Sequence, residues 1–345
     1  MRKIVSSLTA ATAVLAIMGG VSDGKAADYK IKIQVQTPAP APVNKFLLVP
    51  FAKKVEEESG GRIDVQVFHS MGLGGRPPQV FDQIKDGIAE IGWTLPGYSG
   101  GRFPMTNVFE LPFMVTTADA TTQAFQEFAE KRLMDEYKDV HPLLFHTAAR
   151  FKIHMVKSPI TKVSDFNGRK VRATNRAMGD FLKLLGATPV HMPVPSVPQA
   201  LSKRVVEGAI LPWEIVIPFK IQQLAPYHSL IEGRNGFIAA TFLMAMNKKA
   251  YNALPNDLKA VIDRNSGMNT AKWLGKVYDK VEGGGAAKAK KRGNKFNVVP
   301  PGEVAKMQAA AERVQQAWVT DITKKGHDGK ALLAEAKALI AKYTK

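Results

Sequence analysis

The sequence predicts an α/β protein made of two alternating sheet-and-helix halves and a mostly helical C-terminal third. Three observations carry this. Strand and helix periods alternate between Tyr29 and Trp93, the alternation returns between Lys170 and Leu211, and beyond Asp257 helical spacing dominates. At 345 residues, with 45% hydrophobic and 23% charged, the chain has length for about two domains and is neither disordered nor fibrous as a whole. Its lack of cysteine excludes disulfide scaffolds, cysteine-ligated metal sites and cysteine nucleophiles.

The first 26 residues stand apart from this pattern. Arg2 and Lys3 precede an apolar run from Leu8 to Ile17, and small residues lead to Gly24-Lys25-Ala26. That order is a secretory signal peptide over 1–26, cleaved after Ala26. The alternative is an N-terminal anchor, for which the run falls short of the ~20 apolar residues that span a bilayer. No later stretch is long and apolar enough to span either, so an exported chain that does not itself cross the membrane is expected. Cleavage removes Arg2, Lys3, Lys25 and Asp23, taking the net charge from +18 to +16.

Tyr29–Gln36 alternates Ile31, Ile33 and Val35 with polar partners, the period of a strand. Pro38, Pro40 and Pro42 then hold the chain extended. From Val43 to Ser59 the residues Phe46, Leu47, Val49, Phe51, Ala52 and Val55 recur at helical spacing. Pro50 predicts a kink in that helix and Gly60-Gly61 its end. Ile63, Val65 and Val67 make the next strand, His69–Pro78 a loop, Val80–Lys85 a short helix, and Ile88–Trp93 a third strand. This order predicts a parallel sheet. In the second half, Lys170–Ala173, Thr188–Met192 and Val206–Leu211 read as strands, with helices over Gly179–Leu185 and Pro198–Lys203 between them. Phe237–Asn247 is a long apolar strand, and helices are expected over 257–280 and 302–343. No short-period repeat occurs, so only architecture is duplicated.

Catalytic signatures are sparse. The seven histidines are scattered, with no pair spaced to bind a metal on one helix face. There is no Gly-x-Ser-x-Gly elbow and no Walker loop. Gly72-Leu73-Gly74-Gly75 is followed by Arg76-Pro77-Pro78 where a phosphate-binding helix should begin. Lys288, Lys290, Lys291, Arg292 and Lys295 follow Gly283-Gly284-Gly285 as a basic loop, but no aromatic residue interleaves them before Phe296. They read as a solvated face, and no nucleic-acid partner is expected. No cofactor is implied.

Four segments in order resemble the DctP-type solute-binding proteins of tripartite ATP-independent periplasmic (TRAP) transporters. They are Phe51–Ile63 (FAKKVEEESGGRI), Gln83–Gly92 (QIKDGIAEIG), Phe109–Phe113 (FELPF) and Asp165–Arg172 (DFNGRKVR). Val206-Glu207-Gly208-Ala209 resembles the family's Val-Asp-Gly stretch, and the likeness covers nearly all of the chain after residue 26. The resemblance implies a periplasmic protein of two α/β lobes that closes on an organic acid and delivers it to TRAP permease subunits, with no enzymatic activity. It implies lobe I at 27–149 plus 238–280, lobe II at 150–237 plus 281–345, and a long helix spanning both, for which the stretch with Ala271, Trp273, Leu274 and Val277 is the candidate.

It also implies that Arg172 pairs with the ligand carboxylate. The chemistry agrees: a guanidinium matches a carboxylate with two parallel hydrogen bonds and stays charged when desolvated. The alternative is an internal salt bridge to Asp180 or Glu214. Arg150 is the candidate for a second ligand-facing arginine at the first crossing between lobes, with a structural charge as the alternative. Relatives often carry an asparagine where this chain has Leu211. Strand ends in open α/β sheets face the ligand, so Trp93, Leu95, Leu211 and Trp213 should approach the cleft, unless the tryptophans are ordinary core. Gln36 and Thr37 are the expected polar contacts from the first lobe. Phe237 and Phe242 either line the cleft or fill a buried strand. An arginine beside Trp and Leu walls suits a monocarboxylate with an aromatic, 2-oxo or branched aliphatic body. A C4-dicarboxylate is the second reading and needs Arg150 as second cation. An exported hydrolase or lyase is the third, and lacks a recognisable nucleophile, base or metal set.

Overall fold

The computed structural model describes residues 27–344. The segment read as a signal peptide lies outside the described residues. Two sheets organise the chain. The first holds β1 (Tyr29–Val35), β2 (Ile63–Phe68), β3 (Ile91–Thr94), β4 (Val140–Thr147) and β10 (Thr241–Asn247). The second holds β5 (Lys152–Met155), β6 (Lys170–Ala173), β7 (Thr188–His191), β8 (Gly208–Leu211), β9 (Tyr227–Leu230) and β11 (Lys295–Val298). Their orders are β2-β1-β3-β10-β4 and β11-β9-β5-β8-β6-β7.

The three strands read as a parallel sheet are parallel, although neither sheet is parallel throughout. β1, β2 and β3 are parallel, as are β6, β7 and β8, but β10 runs antiparallel to β3 and β4, and β5 antiparallel to β8 and β9. The antiparallel strands flank the places where the chain crosses between sheets. Ala148–Phe151 leaves the first sheet and Phe237–Ala240 returns to it, and the two segments bond each other: Ala148 N–H donates to Ala240 O (3.1 Å) and Phe151 N–H to Ile238 O (3.0 Å). Phe237–Ala240, expected as strand, is thus extended crossing chain.

Several local expectations are modified for identifiable reasons. At Pro50 the helix expected over 43–59 changes its geometry. The preceding turn, Val43–Leu48, widens to π geometry with Val49 N–H donating to Asn44 O, and the α-helix proper runs Val49–Glu58. Widening accommodates a proline ring that has no N–H and crowds the carbonyl four residues back. Gly60 and Gly61 end that helix with φ of 65° and 77°. The helix expected over 257–280 is two, Asn256–Arg264 and Gly267–Lys291. The second runs through Gly283-Gly284-Gly285, so Lys288, Lys290 and Lys291 occupy its last turn, where they complement the helix dipole, and not a loop. The helix expected over 302–343 also divides, into Pro301–Lys324 and Gly329–Tyr343, around Gly326 at φ 88°.

The Gly267–Lys291 helix links the two halves. Asp279 accepts from Ala118 N–H (2.8 Å) and Asp119 N–H (2.9 Å) at the start of the Ala118–Arg132 helix beside the first sheet. One turn on, Glu282 pairs with Lys152 of β5 and accepts from Glu214 N–H (3.0 Å) beyond β8. It is the lobe-spanning helix. The final helix returns to the first half: Arg132 meets Glu335 (2.8 Å), and Tyr343 donates to Glu127 (2.6 Å). The end of 281–345 therefore packs on the Ala118–Arg132 helix. Among the described residues, no helix is long and apolar enough to cross a membrane.

Candidate functional site

The parallel strands of both sheets aim their C-terminal ends at one cavity between the sheets. Gln36 and Thr37 follow β1, Leu95 and Tyr98 follow β3, Arg172 and Thr174 lie at the end of β6, and Leu211, Pro212 and Glu214 end β8; all line it. Trp93 of β3 and Phe242 of β10 complete an apolar wall. This is where an open α/β sheet presents a ligand.

Arg172 is the central group. It is 1% exposed, yet no carboxylate lies within ion-pairing distance of it among the described residues. Asp180, one candidate internal partner, pairs instead with Arg176 and Lys183. Glu214, the other, lines the same cavity without bonding Arg172. The guanidinium is held by neutral acceptors: Nε donates to Met192 O (3.0 Å), Nη1 to Thr174 Oγ1 (2.6 Å) and Nη2 to Tyr98 OH (3.3 Å). Burial lowers its pKa, the direction of a cation short of counter-charge. Five N–H donors less these three leave two for a ligand. The Tyr98 hydroxyl accepts from Arg172 and from Val194 N–H (3.0 Å), which leaves its own proton to donate. Tyr98 sits on the turn after β3, so this contact joins the first half to the second.

The apolar wall is a neutral aromatic stack. Trp93 and Phe242 stack at 4.6 Å between centroids. The Trp93 indole N–H donates to His146 Nε2 (2.8 Å), which turns the polar edge away from the cavity. Burial pushes His146 down to about 3, so it accepts as neutral imidazole. Leu95 and Leu211 are buried against the same space.

Six of the eight site residues expected from sequence line this cavity: Arg172, Trp93, Gln36, Thr37, Leu95 and Leu211. Arg150 and Trp213 do not. The Arg150 guanidinium donates to the carbonyls of Thr116, Gly233 (2.8 Å) and Arg234 (2.8 Å), tying down backbone at the crossing that has no strand partner. Trp213 packs into the second half, stacked on Phe296 (5.6 Å) and edge-on to His154 and His228. Its neighbours Pro212, Glu214 and Ile215 face the cavity instead. Phe242 lines the cavity, while Phe237 packs with Phe113 and Phe181. Sequence reasoning missed Tyr98, Thr174 and Tyr278 as lining groups and weighed Glu214 only as an internal partner. Proximity of Tyr98 to a strand end was the one available signal.

Residues 34–321 match the family model of the bacterial extracellular solute-binding proteins, family 7 (DctP). The solved structure of a marine-metagenome TRAP solute-binding protein specific for aromatic acid ligands, co-crystallised with 3-hydroxybenzoate, is 40% identical. Its TM-score is 0.90, over 92% of this chain and 99% of that one. A TRAP solute-binding protein from Rhodoferax ferrireducens T118 with copurified benzoate is also 40% identical. Its TM-score is 0.89, over 91% and 98% of the two chains. The outer membrane transporter protein TsaT of Comamonas testosteroni is 24% identical over 298 residues, 85% of this chain and 86% of that one. The chain belongs to family 7 of the bacterial extracellular solute-binding proteins and is a DctP-type solute-binding protein of the TRAP class.

Proposed function

We propose that this DctP-family chain captures an aromatic monocarboxylate between its two lobes in the periplasm and delivers it to TRAP permease subunits. The observation that carries the reading is Arg172, a fully buried cation with two free N–H donors and no counter-ion among the described residues, facing an apolar cavity. An unpaired buried charge is costly, and a ligand carboxylate supplies what is missing. The ring then lies along Trp93, Phe242, Leu95 and Leu211, where stacking and apolar burial add to the ionic contact. Arg172 is the one cationic side chain among the described lining residues, which favours a monocarboxylate over a C4-dicarboxylate. The aromatic acids bound by the two 40%-identical structures point the same way.

Closure follows from the distribution of contacts. The ligand touches Gln36 and Trp93 on the lobe of β1–β4 and Arg172 and Leu211 on the lobe of β6–β8, and meets both only when they are shut. Binding thereby shifts an open–closed equilibrium. A thermal-shift screen of residues 27–345 over benzoate, phenylpyruvate, 2-oxoisocaproate, succinate and galactonate tests this, because a tight ligand raises the melting temperature by mass action. The expected result is a shift with the aromatic acids and none with succinate or galactonate. A shift confined to succinate contradicts it.

A further inference from the structure

Two buried side-chain oxygens of the cavity lining lack a hydrogen-bond partner, Gln36 Oε1 on the first lobe and Glu214 Oε2 on the second, and of the two only Glu214 is a carboxyl. Glu214, just past β8, is 7% exposed, and its Oε2 atom is fully buried with no hydrogen bond. Lys152, the cation whose charge acts on Glu214, is taken by Glu282, which also accepts from the Glu214 backbone N–H (3.0 Å). Burial first, and then the Glu282 charge, push the Glu214 carboxyl well above the usual carboxylate range, toward the protonated form. A neutral carboxyl both donates and accepts. Arg172 and Glu214 line one cavity yet share no hydrogen-bond partner. Arg172 is fixed by Tyr98, Thr174 and Met192, while the charged neighbours of Glu214 are Glu282, Lys152 and Asp279.

We propose that Glu214 determines specificity by reading a hydroxyl on the ring of the bound acid, so that hydroxylated aromatic acids are the preferred ligands. This rests on Arg172 being the carboxylate clamp. A ring hydroxyl satisfies the orphaned Oε2, whereas hydrogen leaves it unpaired and a methyl group of similar size both fills the space and leaves it unpaired. Sites built around a hydroxyl discriminate strongly against analogues that lack it.

Titration calorimetry of the purified protein with benzoate, 3- and 4-hydroxybenzoate and 3- and 4-methylbenzoate tests the assignment. At least one hydroxybenzoate should bind roughly tenfold or more tightly than its methyl counterpart, the weight of one buried hydrogen bond. In Glu214→Leu the ratio should fall below about threefold, and Glu214→Gln, which keeps a donor and an acceptor, should retain part of it. A wild-type ratio near one for both pairs, with benzoate still bound, overturns the role of Glu214 and leaves the clamp standing. A ratio that survives in Glu214→Leu overturns it too. If the wild type binds none of these acids, the clamp reading fails first and this one with it.

Discussion

Alanine at position 172 would remove a guanidinium that Tyr98, Thr174 and Met192 orient and that lacks only a counter-ion. Truncating one member of a buried, hydrogen-bonded charge pair costs about 2–5 kcal/mol. At about 1.4 kcal/mol per tenfold change, benzoate affinity should fall at least roughly thirtyfold. Arg172→Lys should fail nearly as badly. One ammonium cannot reach the Met192 carbonyl, the Thr174 and Tyr98 hydroxyls and two carboxylate oxygens together. Titration calorimetry reads the affinities, with melting curves of the ligand-free variants as the check on folding. A folded Arg172→Ala protein that binds benzoate within threefold of wild type would refute the reasoning.

Gly97 lies between the halves: an added Cβ would sit 2.8 Å from Asn175 Cβ and 3.0 Å from Glu110 Oε1. Overpacking of about 1–3 kcal/mol should therefore weaken ligand binding roughly tenfold in Gly97→Ala, and an unchanged Kd contradicts the contact. In the spanning helix, Gly284→Ala meets nothing within 4 Å and should stabilise by about 0.5–1 kcal/mol, whereas Gly285→Ala would place Cβ 2.7 Å from Trp213 Cβ and should lower the melting temperature. Equal shifts in the two variants would count against that packing. Burial raises Glu110 from 4.5 to about 7. Because the folded state favours its protonated form, that stabilisation is complete below pH 4.5 and is lost as pH rises through about 7. Glu110→Gln keeps an acceptor for Thr241 N–H and Oγ1 without titrating, so its melting temperature relative to wild type should climb between pH 4.5 and 8. A pH-independent difference would exclude the shift.

How much of this was legible in the sequence follows from what local pattern can encode. β1, β2, β6 and the Val80–Lys85 helix are set by periods of 2 and 3.6 and by flanking glycines, and each lies within a residue or two of where periodicity puts it. Strand direction is not local. β10 pairs with β3 and β4, which precede it by about a hundred residues or more, and nothing within Thr241–Asn247 states an antiparallel partner. The Ala118–Arg132 helix escaped notice because it is buried on nearly every side, from Ala118 through Phe125, leaving no polar face to reveal a period. The glycine triplet misled because its residues read as punctuation, while Gly285 is there to let Trp213 approach. At the site, Gln36, Thr37, Trp93, Leu95 and Leu211, singled out from their places at strand ends, line the cavity. The direction in which a turn sends a side chain was beyond reach: Trp213 turns into the core and Glu214 toward the cavity. Arg150 drew attention as a charge at a crossing, but its guanidinium is taken up by the backbone carbonyls of Thr116, Gly233 and Arg234.

The most direct test of the central claim is a crystal structure of the protein with benzoate. Carboxylate oxygens should lie within ~3.2 Å of Arg172 Nη1 or Nη2 and of the Tyr98 hydroxyl, with the ring against Trp93 and Phe242. Benzoate seated in the outer cleft beside Arg176 and Arg313, with Arg172 still lacking an anionic partner, would contradict it.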